Sequence, residues 1–102
     1  MTGDYFALYP VSLVKATAAA KESLQQLGME YDAETTSTPS RIVIEGMSTN
    51  HNFVQVTLES VRQDLTKATI HANYYGEKTL SLRFQNLLAE NLKVSPPQDL
   101  VR

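Results

Sequence analysis

Residues 68–92, ATIHANYYGEKTLSLRFQNLLAENL, change their hydrophobic period halfway. Ala68, Ile70 and Ala72 alternate with Thr69, His71 and Asn73, the two-residue repeat of a half-buried strand. Beyond Tyr74-Tyr75-Gly76, Leu80, Phe84, Leu87, Leu88 and Leu92 recur at helical spacing. A strand that hands over to an amphipathic helix needs that helix to lie back on the sheet, since neither apolar face is otherwise covered. Gly76 is expected to end the strand and Thr79 to cap the helix, with Glu77 and Lys93 suiting the two ends of its dipole. Pro96-Pro97 cannot continue it.

The same reasoning extends upstream. Leu65 to Tyr74 pairs as a hairpin with Phe53 to Val61, in which Val54, Val56 and Leu58 take the core side. The register that satisfies both patterns sets Val56 opposite Ile70, Leu58 opposite Ala68 and His71 opposite Gln55. It also sets Glu59 opposite Lys67, a cross-strand charge pair of about 0.2–1 kcal/mol. A one-residue slip would turn the valines and leucine to water. Arg41 to Met47 reads as a further strand, with Ile42 and Ile44 inward, Val43 and Glu45 outward, and Gly46 as a bulge position. Met29 to Thr36 alternates too, with Met29, Tyr31 and Ala33 inward and Glu30, Asp32 and Glu34 outward. Ser37-Thr38-Pro39-Ser40 is a turn cluster.

Near the start, Tyr5 to Tyr9 reads as a short aromatic strand closed by Pro10. Ser12 stands at the N-cap of a helix over residues 12–27, with Leu13, Ala16, Ala20, Leu24 and Leu27 on one face and Gly28 at its C-terminal cap. The expected fold is therefore α+β: a two-layer sandwich in the order β-α-β-β-β-β-α, an antiparallel sheet with both helices on one face. Residues 1–94 form one domain and 95–102 a flexible tail.

Composition narrows the function. The chain has 102 residues, 42% of them hydrophobic and 20% charged, which suits one globular domain. A net charge of −2 with nine scattered basic residues supplies no field for nucleic acid. There is no cysteine, hence no disulfide and no thiolate metal site. No apolar run approaches the ~18 residues of a membrane span, so insertion by this chain itself is not expected.

Candidate chemistry is sparse. His51 and His71 are the only histidines, and a metal site would need carboxylates from Asp32, Glu34 or Glu45 to converge on His71. A surface histidine is the simpler reading. The alternating Glu30, Asp32 and Glu34 read as a solvated face, or else as a site for a divalent cation or a basic partner. Tyr5, Tyr9, Tyr74 and Tyr75 gather at strand ends, read as rim packing with hydroxyls reaching water, or else as an aromatic ligand or peptide patch. No nucleophile elbow or phosphate-binding glycine loop is present. No catalytic residue, cofactor or metal ligand is assigned. The candidate interaction surface comprises Tyr9, Tyr74, Tyr75, Glu30, Asp32, Glu34 and His71.

With these segments in place, the chain resembles a family of small bacterial envelope domains of unknown function, many of lipoprotein type. The resemblance rests on the Tyr5–Tyr9 strand, KATAAAKESLQQLG (15–28), FVQVTLES (53–60), ATIHANYYGE (68–77) and TLSLRFQNLLAENL (79–92). Asn73 stands where that family commonly has glycine and Glu77 where it has aspartate, and the lipobox cysteine is missing. The last point fits a trimmed form or a cytoplasmic relative. What the resemblance implies is a periplasmic or envelope-anchored location and no catalytic residues. The leading expectation is a non-enzymatic, envelope-associated domain that binds another protein or has a structural role. The alternatives are a small-ligand module with a pocket between helices and sheet lined by Tyr9, Tyr74 or Phe84, and a metal-dependent enzyme built around His71. Homodimerisation through an uncovered sheet edge is open to any of them.

Overall fold

The computed structural model describes residues 5–31, 36–47, 53–72 and 77–95. Along the chain lie β1 (Tyr5–Tyr9), α1 (Leu13–Gln26), β2 (Glu30–Tyr31), β3 (Thr36–Ser37), β4 (Arg41–Met47), β5 (Phe53–Arg62), β6 (Leu65–Ala72) and α2 (Glu77–Leu92). The strands form one antiparallel sheet in the order β1-β6-β5-β4-β2, and β3 also pairs with β4. The first strand thus occupies one edge, and α1 carries the chain across the sheet to the opposite edge. The remaining strands meander back until β6 meets β1.

The α+β architecture with both helices on one face is as the hydrophobic periods require. Ile44, Val56 and Ile70 lie in one cross-strand row, and Leu58, Ala68 and Ala7 in another, all buried beneath the helices. From above, Leu13, Ala16, Ala20 and Leu24 of α1 and Leu80, Phe84, Leu88 and Ala89 of α2 close the core. Each fully buried Ile, Leu or Phe contributes about 1.5–3 kcal/mol relative to exposure. The β5–β6 register is the expected one from Val54↔Ala72 through Ser60↔Thr66. It then shifts between Ser60 and Arg62, where the strand irregularity falls.

Local chemistry accounts for the helix ends. Ser12 Oγ accepts from the Lys15 N–H at 3.3 Å, the expected N-cap of α1. At its other end the Gly28 N–H donates to the Gln25 carbonyl at 2.9 Å and the Met29 N–H to the Leu24 carbonyl at 3.0 Å, with Gly28 at φ 78°. That pair of bonds is a Schellman motif. The end of α2 repeats it with a lysine: Lys93 has φ 60°, its N–H donates to Glu90 at 3.1 Å, and the Val94 N–H donates to Ala89 at 3.0 Å. Between the helices, Asn91 Nδ2 donates to Ser23 Oγ at 2.9 Å and to Gln26 Oε1 at 3.0 Å.

Four expectations are corrected. Thr79 is not the cap of α2, which begins at Glu77; glutamate and lysine are both strong helix formers, so propensity carries the helix past that point. Gly46 is not a bulge, because β4 and β5 pair without a shift there. A Cβ on it would lie 3.3 Å from Val54 Cγ2, 3.5 Å from the Glu30 carbonyl and 3.8 Å from Leu24 Cδ1, so the glycine serves close packing. Val43 does face away from the helices, yet it is buried. It sits in the middle of the sheet, between Arg41 and Glu45 on its own strand and opposite Thr57. The single strand expected over Met29 to Thr36 is represented by β2 and β3, which pair with β4 in registers two residues apart. Residues 32–35 lie outside the described residues, as do the Tyr74-Tyr75-Gly76 turn and the expected tail from residue 96 onward.

Candidate functional site: the helix-free face of the sheet

Alternation places every second residue of each strand on the face that the helices leave uncovered. Register then arranges those residues in rows. One row runs Leu8, Lys67, Glu59 and Arg41 across β1, β6, β5 and β4. The next runs Phe6, Thr69, Thr57 and Val43. A third holds His71, Gln55 and Glu45, and a fourth holds Phe53, Met47 and Glu30. The result is a central band of Thr57, Thr69, Gln55 and His71 bordered by the charged Lys67, Glu59, Arg41, Glu45 and Glu30, with apolar groups at its two ends.

At the β1 end, the Lys67 ammonium lies 4.4 Å from the centre of the Phe6 ring, a cation–π contact that holds the charge over the sheet. Leu8 beside it is 52% exposed. At the far end Met47 is 44% exposed. A depression of about 340 Å³ there is bounded by Glu30, Tyr31, Glu45, Gly46, Met47 and Phe53. A shallower one of about 240 Å³ lies between Gln55, Thr57, Thr69 and His71. Gln55 Nε2 donates to Glu45 Oε2 at 3.4 Å, tying two residues of the His71 row together.

Of the candidate interaction residues, Glu30 and His71 lie on this face, but the sheet order separates them. His71 is on β6 and Glu30 on β2, with β5 and β4 between. Glu45 shares a row with His71 but stands beyond Gln55. Among the described residues no three His, Asp or Glu side chains converge as metal ligands would. Asp32, Glu34, Tyr74, Tyr75 and His51 lie outside the described residues.

Tyr9 is the correction that matters most. It was expected at the rim with its hydroxyl in water; it is instead 1% exposed, on the helix side of β1. Its hydroxyl donates to Gln85 Oε1 at 2.5 Å and lies 3.0 Å from the Gln85 carbonyl oxygen. Burial pushes the phenol pKa well above its ordinary value of 10. Gln85 Nε2 in turn donates to the Ala68 carbonyl at 3.0 Å, so one buried amide joins β1, α2 and β6. Thr66, opposite Tyr9, donates its hydroxyl to the Val11 carbonyl at 2.8 Å. Phe84 is likewise fully buried. Of the three side chains expected to line a ligand pocket, Tyr9 and Phe84 are therefore part of the packed interior, and Tyr74 lies outside the described residues. Reading the stripe of α2 by its leucines misses Ser81, Gln85 and Ala89, which are all fully buried. Their spacing of four along the helix was the available signal.

No protein-family model and no curated protein matches the chain. No described helix is long and apolar enough to cross a membrane.

Proposed function

We propose that this is a non-enzymatic, envelope-associated domain that binds another protein through the helix-free face of its sheet. The observation that carries the reading is the composition of that face by rows. Phe6, Phe53, Met47 and Arg41 are residue types enriched in protein interfaces, Leu8 adds exposed apolar surface, and together they flank a central band of threonine, glutamine and histidine that can hydrogen-bond a partner. The helices cover the other face, so a broad flat surface is offered on one side only. The depression between Gln55, Thr57, Thr69 and His71 is open, which suits side chains of a partner better than an engulfed small molecule. The envelope setting rests on the likeness of the strand and helix segments to small envelope domains.

A photo-crosslinking residue placed at Thr57, in the middle of the face, tests the binding reading in the native host. The expected result is a discrete protein adduct from Thr57 that is lost when Met47 and Phe53 are both changed to serine. An equivalent probe at Val14, on the exposed side of α1, gives no such adduct. Adducts from Val14 and none from Thr57 would overturn the reading. Fractionation of the native protein tests the location, and recovery in the cytoplasm alone would remove the envelope assignment.

A further inference from the structure

We infer that β1 pairs with β1 of a second copy of this chain, antiparallel about a two-fold axis through Ala7 and perpendicular to the sheet. The seam shares Phe6 and Leu8 with the border of the open face, whereas the crosslinking test of that face rests on Thr57, Met47 and Phe53, so the two readings fail separately. β1 terminates the strand order, and β6 is its one strand neighbour among the described residues. Every second residue of an edge strand turns its N–H and C=O away from the sheet. Natural edges are usually blunted by lysine, proline, inward charge or a bulge. Tyr-Phe-Ala-Leu-Tyr has none of these, and Pro10 comes only after the strand has ended. It pairs with β6 over all five residues without a register shift, so the edge is regular. The opposite edge differs: β2 and β3 are two-residue pieces in different registers, and Glu30 is exposed there.

The choice of a second copy follows from the strand's self-complementarity. With Ala7 at the axis, Phe6 of each copy stands opposite Leu8 of the other on the helix-free face. Four apolar side chains then meet where Leu8 is now 52% exposed. The strand itself carries no charge to the seam; the ammonium of Lys67, opposite Leu8 on the neighbouring β6, lies over the Phe6 ring. An axis perpendicular to the sheet keeps both helical layers on one side, so the two sheets continue as one. The contact is isologous and closes on itself. Five residues per copy form an interface below the ~1,000 Å² of a stable complex, so the dimer is a weak, concentration-dependent one.

Sedimentation of the full chain between about 5 µM and about 1 mM tests this. The expected mass rises from the 11.4 kDa of the monomer toward twice that value. Leu8→Lys places a charge at the seam on a side chain that is already half exposed. It is expected to move the midpoint at least about tenfold higher in concentration while leaving the far-ultraviolet circular dichroism unchanged. Register is tested independently with Phe6→Cys and Leu8→Cys, since the native chain has no cysteine. Mixing equal amounts of the two variants is expected to give the mixed disulfide well beyond the twofold excess over each self-disulfide that random pairing produces, because directly opposed positions meet the distance limit and diagonal ones do not. A constant monomer mass, a Leu8→Lys dimer as tight as the native one, or no preference for the mixed disulfide would each overturn the proposal.

Discussion

The hydroxyl of Tyr9 donates to the side-chain oxygen of Gln85, 2.5 Å away and 76 positions later in the chain. One residue ends the first strand, and the other lies midway along the last helix. Gln85 also donates to the Ala68 carbonyl, so the pair fastens both ends of the chain to the central sheet inside the core.

A double-mutant cycle on this pair should show strong coupling. Tyr9→Phe leaves a buried amide oxygen without its donor, and Gln85→Leu takes the side-chain acceptor from a buried phenol, which keeps only the main-chain carbonyl of residue 85, and the amide donor from the Ala68 carbonyl. Each is expected to cost about 1–3 kcal/mol. The double variant should cost clearly less than their sum, because it leaves fewer orphaned groups. Chemical denaturation of all four proteins gives the numbers, and simple additivity would show that the bond contributes nothing of its own.

Alkaline pH should weaken the fold through the same phenol. Its folded pKa is raised by burial, whereas in the unfolded chain it titrates near 10. Above that pH the unfolded state has lost the proton that the native state keeps, so unfolding is favoured as pH rises. Stability is thus intact below about pH 9 and falls from about pH 10 upward. The fall should be shallower in Tyr9→Phe, measured as melting temperature against pH; identical slopes would mean that other groups carry the effect.

The two Schellman motifs offer an internal control. Gly28 and Lys93 occupy equivalent left-handed positions, but only glycine adopts that conformation without steric cost. Lys93→Gly is expected to stabilise by about 0.5–1 kcal/mol and Gly28→Ala to destabilise by about 1 kcal/mol. Opposite signs in urea melts are the result to look for.

Gly46→Ala should be tolerated at a loss of about 1 kcal/mol, and Gly46→Val should cost about 1–3 kcal/mol or more. The added Cβ meets Val54 Cγ2 at 3.3 Å, and a branched side chain would also press on the Glu30 carbonyl and on Leu24. Amide exchange at Glu30 and Tyr31 should quicken in the valine variant, since β2 is held to β4 at that point. Unchanged exchange would separate the glycine from the attachment of this edge.

Much of the architecture was legible without coordinates, for a simple reason. Hydrophobic period is a local property, and it assigns each residue a face as soon as the element is known. The two-residue alternation of 53–61 and 65–74 excluded every odd slip, which would turn one strand's apolar set to water, and the short connection between the strands then set Val56 against Ile70. The three-and-four spacing of Leu13, Ala16, Ala20 and Leu24 likewise named the buried side of α1. Neighbours across the sheet are a different matter. That β1 lies beside β6, and that Glu30 is three strands from His71, follows from which edges meet when the layers close. The inward turn of Tyr9 and the burial of Gln85 depend on one another: neither polar group would enter the core alone, and only docking α2 over β1 and β6 brings them together. Periodicity sorts side chains into wet and dry, whereas the contacts made inside the dry layer arise from packing between segments far apart in the chain.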